Sequence, residues 1–221
     1  AKVSDWVVTP RHGKPVEVNA LWYNALECMV EFSRQLNLNE SLFLDLAKKV
    51  RTSFSRFIKP EGGLYDVLGG WSEHDASIRP NQILAVSLHF SPLDYKVQAS
   101  VVKEVSKHLV TPYGLRSLSP ESSSYHPRYV GNVLQRDAAY HQGTVWAWLL
   151  PHFALAEHRV TNDAELALSR LEAMRNHFME AGLGTISEIF DGDYPHTPRG
   201  APAQAWSVAC VLEAWVKLER A

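Results

Sequence analysis

Through most of its length this chain sets apolar residues three and four positions apart, the rhythm of a helix that buries one face. The pattern runs over 20–36 (Leu21, Trp22, Ala25, Leu26, Met29), 40–58 (Phe43, Leu46, Ala47, Val50, Phe54) and, more briefly, 80–90 (Ile83, Leu84, Val86). It returns over 94–109 (Val97, Val101, Val105), 142–158 (Val145, Trp146, Leu149, Phe153), 162–180 (Ala164, Ala167, Leu171, Met174) and 202–219 (Trp206, Ala209, Leu212, Trp215). No stretch sustains the every-second-residue alternation of a strand, so only short extended pieces are expected, near Val7-Val8 and Ile186. Helices with one apolar face have to pair, and an all-α fold of helical hairpins follows. Asn39 or Glu40, Pro80 with Asn81, Thr161 and Pro202 supply start signals, and Gly62-Gly63 and Gly182 supply stops.

The links differ in kind. Those at 37–40 and 159–161 are short, whereas 1–19, 59–80, 110–141 and 181–201 are long without being low in complexity. Long loops in a compact domain usually carry function. Hairpins with long loops at one end and short turns at the other describe a toroid of paired helices, an (α/α) barrel whose long-loop end holds the site. With no linker-like shift in composition, residues 1–221 are expected to form a single domain.

A net charge of −2 points to neither nucleic acid nor an anionic membrane. Cys28 and Cys210 lie within helical patterns and read as reduced, buried residues. No apolar run is long enough to span a bilayer, and the opening residues lack a signal-peptide core, so a cytoplasmic location is the default expectation.

The seven tryptophans and eight tyrosines gather unusually often beside polar residues in loops or at helix starts. That mixture suits a sugar, whose apolar face stacks on a ring while its hydroxyls need fixed polar partners. Three segments show it. Residues 9–26 lead Arg11, Lys14 and Glu17 into Trp22 through a helix opened by Asn19. Residues 71–85 hold Trp71, Glu73, Asp75, Arg79 and Gln82; Glu73, His74 and Asp75 match no standard metal spacing, so no metal is expected. Residues 136–148 place His141, Gln142 and Trp146 together. Each also reads as an ordinary capped helix start. Nucleophile-elbow and phosphate-loop motifs are absent.

The stretch ISEIFDGDYPHTPRG, 186–200, adds Glu188, Asp191 and Asp193. Glycoside hydrolysis uses two carboxyl groups, one protonated and one ionised. Ile186 and Ile189 flank Glu188, while Asp191 and Asp193 bracket Gly192 as turn formers do.

The segments VVTPRHGKPVEVNALWYNAL, IRPNQILAVSL, TPYGLRSLSP, RDAAYHQGTVWAWLL and ISEIFDGDYPHTPRGAPAQAWSVACVLEAW resemble, in order, the C-terminal glucosidase domain of glycogen debranching enzymes, the amylo-α-1,6-glucosidases. The resemblance spans nearly the whole chain. It implies the C-terminal part of an (α/α)6 barrel that removes α-1,6-linked glucose stubs from glycogen or related glucans by inversion. It makes Glu188 the general base and Arg11, Lys14, Glu17, Trp22, Arg79, Gln82, His141, Gln142, Trp146, Asp191 and Trp206 sugar-lining residues. In the family a TWMD-like segment carrying the expected general acid precedes the block that begins here at Ala1. Asp5 is the nearest substitute within the chain. No metal or organic cofactor is needed, since two carboxylates and water suffice. Expected partners are an α-glucan and either a second copy or the remainder of the enzyme. The rival readings are a non-catalytic glucan-binding module, a toroid epimerase or lyase using His141, and a structural scaffold.

Overall fold

The computed structural model describes residues 2–3, 5–69 and 74–221; Trp71 and Glu73 lie outside the described residues. In chain order the elements are β1 (Lys2–Val3), β2 (Trp6–Val7), β3 (Lys14–Pro15), α1 (Val16–Gln35), α2 (Ser41–Phe54), β4 (Val67–Leu68), α3 (Leu84–Ser87), α4 (Tyr95–His108), β5 (Val110–Thr111), β6 (Gly114–Arg116), α5 (Val133–Ala139), β7 (Val145–Trp146), α6 (Leu149–Thr161), α7 (Ala164–Ser169), α8 (Glu172–His177), β8 (Ile189–Phe190), β9 (Pro198–Arg199) and α9 (Ala205–Leu218). They pack into two compact units. One comprises residues 11–76 and 81–104; the other comprises 1–10, 77–80 and 105–221.

The first unit is built on α1 and α2. Helix α1 begins at Val16, straight after Pro15, rather than at Asn19. The Asn19 amide instead donates back to the Pro15 carbonyl at 2.8 Å, inside the first turn. Glu17 in the first turn and Arg34 in the last complement the helix dipole. Left-handed Asn37 stops the helix, with Leu38 N–H bonding to Ser33 O and Asn37 N–H to Arg34 O, which is a Schellman motif. Tyr23 and Leu26 of α1 meet Ala47 of α2, and Phe43, Leu46, Val50 and Phe90 close the cluster. The third predicted helix is short: a 3-10 turn over Pro80–Ile83 runs into α3.

In the second unit α6 packs against α7 and α9, burying Leu150, Phe153, Ala154, Val211, Ala214 and Leu218. A buried carboxylate sits within this packing, where Glu157 accepts a two-pronged bond from Arg170 at 2.8 and 2.9 Å. Beside the helices, five very short strands form one antiparallel ladder in the order β5-β6-β7-β8-β9. The register places Leu115, Trp146, Ile189 and Arg199 in line, with Arg116, Val145, Phe190 and Pro198 beside them.

The ladder corrects the helical reading of 142–158. Residues 142–148 are turn and strand, and the helix starts at Leu149. Gly143 has φ of 152°, far outside the helical range, so the helix does not extend back through it. Helix α5 lies inside what reads as a loop. Its start is a full capping box between Asn132 and Gln135. The run at 162–180 is two helices, α7 and α8, the first capped by Asp163, which accepts from Leu166 N–H.

Candidate active site

Glu188 immediately precedes β8, and both its backbone and its side chain are tied down. Its N–H donates to Ala201 O at 2.9 Å, and its Oε2 accepts from Ala201 N–H at 3.0 Å. Oε1 accepts from the Tyr140 hydroxyl at 2.7 Å and from Gln204 Nε2 at 3.4 Å. The side chain is half-buried and lines an open pocket of about 660 Å³ with Tyr129, Val130, Gly131, Arg136, Arg199, Gly200 and Ala201. A carboxylate that accepts several N–H and O–H bonds is held in one orientation. It can therefore accept a proton from a water in the pocket.

Tyr140 is held as firmly as Glu188. Its ring lies 4.9 Å from that of Trp146, 4.7 Å from that of His141 and 5.5 Å from that of Tyr129. Its carbonyl accepts from Thr144 Oγ1 and Trp146 Nε1. Burial first, and then the bond to Glu188, pushes the Tyr140 phenol well above its ordinary range, so its hydroxyl keeps its proton and remains a donor at neutral pH. An aromatic train continues from it: His141 stacks on Trp146 at 5.1 Å, Trp146 meets Trp206 edge-on, and Trp206 stacks on Trp148 at 4.9 Å. Trp206, two residues into α9, is 46% exposed.

The other sequence candidates divide by what their polar atoms already bind. Buried Arg79 donates to Ser117 O at 3.0 Å, His141 O at 2.7 Å and Gln142 Oε1 at 2.6 Å, which pins the His141–Gln142 turn. Asp191 is fully buried. It accepts from Tyr129 N–H at 2.9 Å and Arg199 Nη2 at 3.1 Å, with Arg128 Nη1 at 3.5 Å, and so joins the segments on either side of the pocket. Asp193 accepts from Tyr125 OH at 2.9 Å. Asp5 is exposed in the turn between β1 and β2.

In the other compact unit, Arg11 forks onto Glu17 and also onto the buried Asp66, with Nε to Oδ2 at 2.6 Å. Burial opposes its charge, but the bonds to Glu17 and Asp66 outweigh this and hold its pKa above the usual range. Gln82 is buried, accepting from Leu64 N–H at 2.9 Å and donating to Glu104, which also pairs with buried Lys59 at 2.7 Å. Lys14 on β3 and Trp22 on α1 are exposed. Gln204, Arg136 and Gly200 carry nothing in the sequence that marks them as site residues, whereas Tyr140 is marked as one of the aromatics beside polar residues, next to His141 in RDAAYHQGTVWAWLL, though without its role at Glu188.

Among the described residues no group of three or more His, Cys, Asp or Glu side chains could hold a metal ion, and no helix is long and apolar enough to cross a membrane.

Comparison with solved structures gives the class. The chain superposes on the GH63 mannosylglycerate hydrolase of Thermus thermophilus in complex with glucose, with a TM-score of 0.69 and 17% identity, covering 92% of this chain and 47% of that one. It also superposes on the neutral trehalase Nth1 of Saccharomyces cerevisiae, with a TM-score of 0.62 and 15% identity, covering 92% and 38%. The fold is therefore of the (α/α)6 toroid class, as the paired helices imply. The family follows from sequence: residues 1–213 match the amylo-alpha-1,6-glucosidase model, and the chain belongs to that glycoside hydrolase family. It is 26% identical over 272 aligned residues to the glycogen debranching enzyme of Saccharomyces cerevisiae, spanning 95% of this chain and 17% of that protein.

Proposed function

We propose that the chain carries the general-base half of a glucosidase site that hydrolyses α-1,6-linked glucose stubs on a branched α-glucan, with inversion at the anomeric carbon. The observation that carries this reading is Glu188, held by Tyr140 and Ala201 on the wall of an open polar pocket. An acid protonates the glycosidic oxygen as its bond to C1 breaks. Water beside Glu188 attacks C1 from the opposite face and gives its proton to the carboxylate. The two carboxyl groups of such a pair stand roughly 6.5–9.5 Å apart, leaving room for that water. Trp206, 46% exposed, is the aromatic offered to the sugar, with the buried Trp146 packed edge-on against it. The acid is to be sought at Asp5 or in sequence that the longer relatives carry and this chain does not span.

The test is glucose release from a glucosyl-branched limit dextrin, with Glu188→Gln beside the unaltered chain. Loss of a general base lowers the rate on the order of 10²–10⁴-fold. A variant that releases glucose at the unaltered rate removes Glu188 from the mechanism. Dextrin binding with no release by either protein, and equal affinity for both, favours a glucan-binding module.

A further inference from the structure

The two oxygens of Glu188 are held unequally. Oε1 receives both the Tyr140 hydroxyl and the Gln204 amide, whereas Oε2 receives the Ala201 N–H. A carboxylate oxygen has two acceptor positions. Oε1 is thus filled by two side chains, and Oε2 keeps one position open.

We propose that Tyr140 is a positioning residue that ties up Oε1 and leaves Oε2 of Glu188 as the atom that takes the proton from the attacking water. The inference rests on the general-base reading of Glu188. Its physical basis is preorganisation. The Tyr140 ring is wedged among Tyr129, His141 and Trp146, and its carbonyl is bonded twice, so the hydroxyl is aimed before any substrate arrives. Gln204 is fixed in turn by its N–H bond to Ile186 O at 3.0 Å. Burial and the Glu188 bond keep the phenol protonated, so it is a donor over the whole neutral range. Without it Oε1 keeps only the longer Gln204 bond, and the carboxylate is held less firmly in its one orientation.

Tyr140→Phe keeps the ring and removes only the hydroxyl. With the branched dextrin as substrate, the expected result is kcat reduced roughly 10- to 100-fold with KM within about twofold, because the lost contact sets a reacting group and not the bound sugar. In a Glu188→Gln background the same change adds no further loss, since the two residues act as one unit. A parallel rise in KM, or a full additive loss in that background, makes Tyr140 merely structural and overturns the inference. The outcomes separate from the underlying reading. If Glu188→Gln stays active, the base assignment fails and takes the inference with it. If Glu188→Gln is dead and Tyr140→Phe retains unaltered kcat, the inference alone fails. A chain that binds dextrin without turnover is tested by labelling its glutamates with ¹³C at the side-chain carboxyl. The Glu188 carboxyl resonance, identified by its absence in Glu188→Gln, moves in Tyr140→Phe; a resonance that stays in place shows that the bond does not hold the carboxylate.

Discussion

Gly200 is the position where a single methyl group tests the site most directly. It follows β9 with φ of 70°, and a Cβ built there falls on Glu188 Oε2, with Ile189 Cγ1 at 3.0 Å and Glu188 Cβ at 3.2 Å. Gly200→Ala therefore has two costs. A left-handed non-glycine residue costs about 1–2 kcal/mol. Relieving the clash is easiest at the end of the Glu188 side chain, which swings away and gives up the Ala201 N–H bond. A hydrogen bond to a charged group contributes about 1.5–3 kcal/mol, less here because Glu188 is only half-buried and water replaces part of it. The sum is roughly 2–3 kcal/mol. In a chain of this size that lowers the melting temperature by about 4–12 °C. The activity loss is larger in proportion, because moving the carboxylate by about 1 Å costs on the order of 10²-fold in rate. Thermal melting by circular dichroism, together with glucose release or dextrin binding, separates the two. A variant that melts several degrees lower but keeps full activity would show that Oε2 is not the working oxygen. One that melts at the unaltered temperature would refute the strain argument itself.

Other changes probe the supports. His152 is half-buried beside Trp148, and loss of hydration lowers its pKa to about 4 from 6.5. The unfolded chain therefore binds this proton first, so the neutral imidazole stabilises the fold above pH 6.5, and that contribution of roughly 3 kcal/mol is lost as pH falls towards 4. Urea titrations at several pH values should show His152→Gln losing less stability than the unaltered chain across that window; parallel curves would reject the assignment. Asp191→Asn weakens the bonds to Arg199 and Arg128, whose side chains are partly exposed, and is expected to cost about 1–3 kcal/mol by chemical denaturation while leaving the far-ultraviolet dichroism unchanged. Gln82→Leu strands the buried Leu64 N–H and removes a donor from Glu104, costing a further roughly 1–3 kcal/mol in the same assay.

What could be read in advance follows from locality. The paired helices announce themselves because burying one face of a helix needs a three-and-four spacing, which is written in consecutive residues such as those of α1, α4 and α9. The α5 capping box was legible too, in Asn132 and Gln135, although the surrounding polar sequence concealed it. The segment 142–148 misleads because Val145, Trp146 and Leu149 satisfy the helical spacing equally well. The two-residue strand β7 is imposed by its neighbours β6 and β8, which lie far away in sequence. Arg79, Gln82 and Asp191 have the residue types of sugar ligands, and nothing in the sequence tells a hydroxyl-binding guanidinium from one that bonds to carbonyls within the fold.

By itself, then, the sequence determined the long paired helices and the acidic loop that holds Glu188, since each depends on residue types a few positions apart. Tertiary structure decided which carboxylate faces a pocket and what holds it. Tyr140 reaches Glu188 across 48 residues, and Ala201 reaches it across 13. Those distances close only when the β-ladder sets its register. A hydrogen bond of 2.7 Å is a property of that register, and no local rule of spacing contains it.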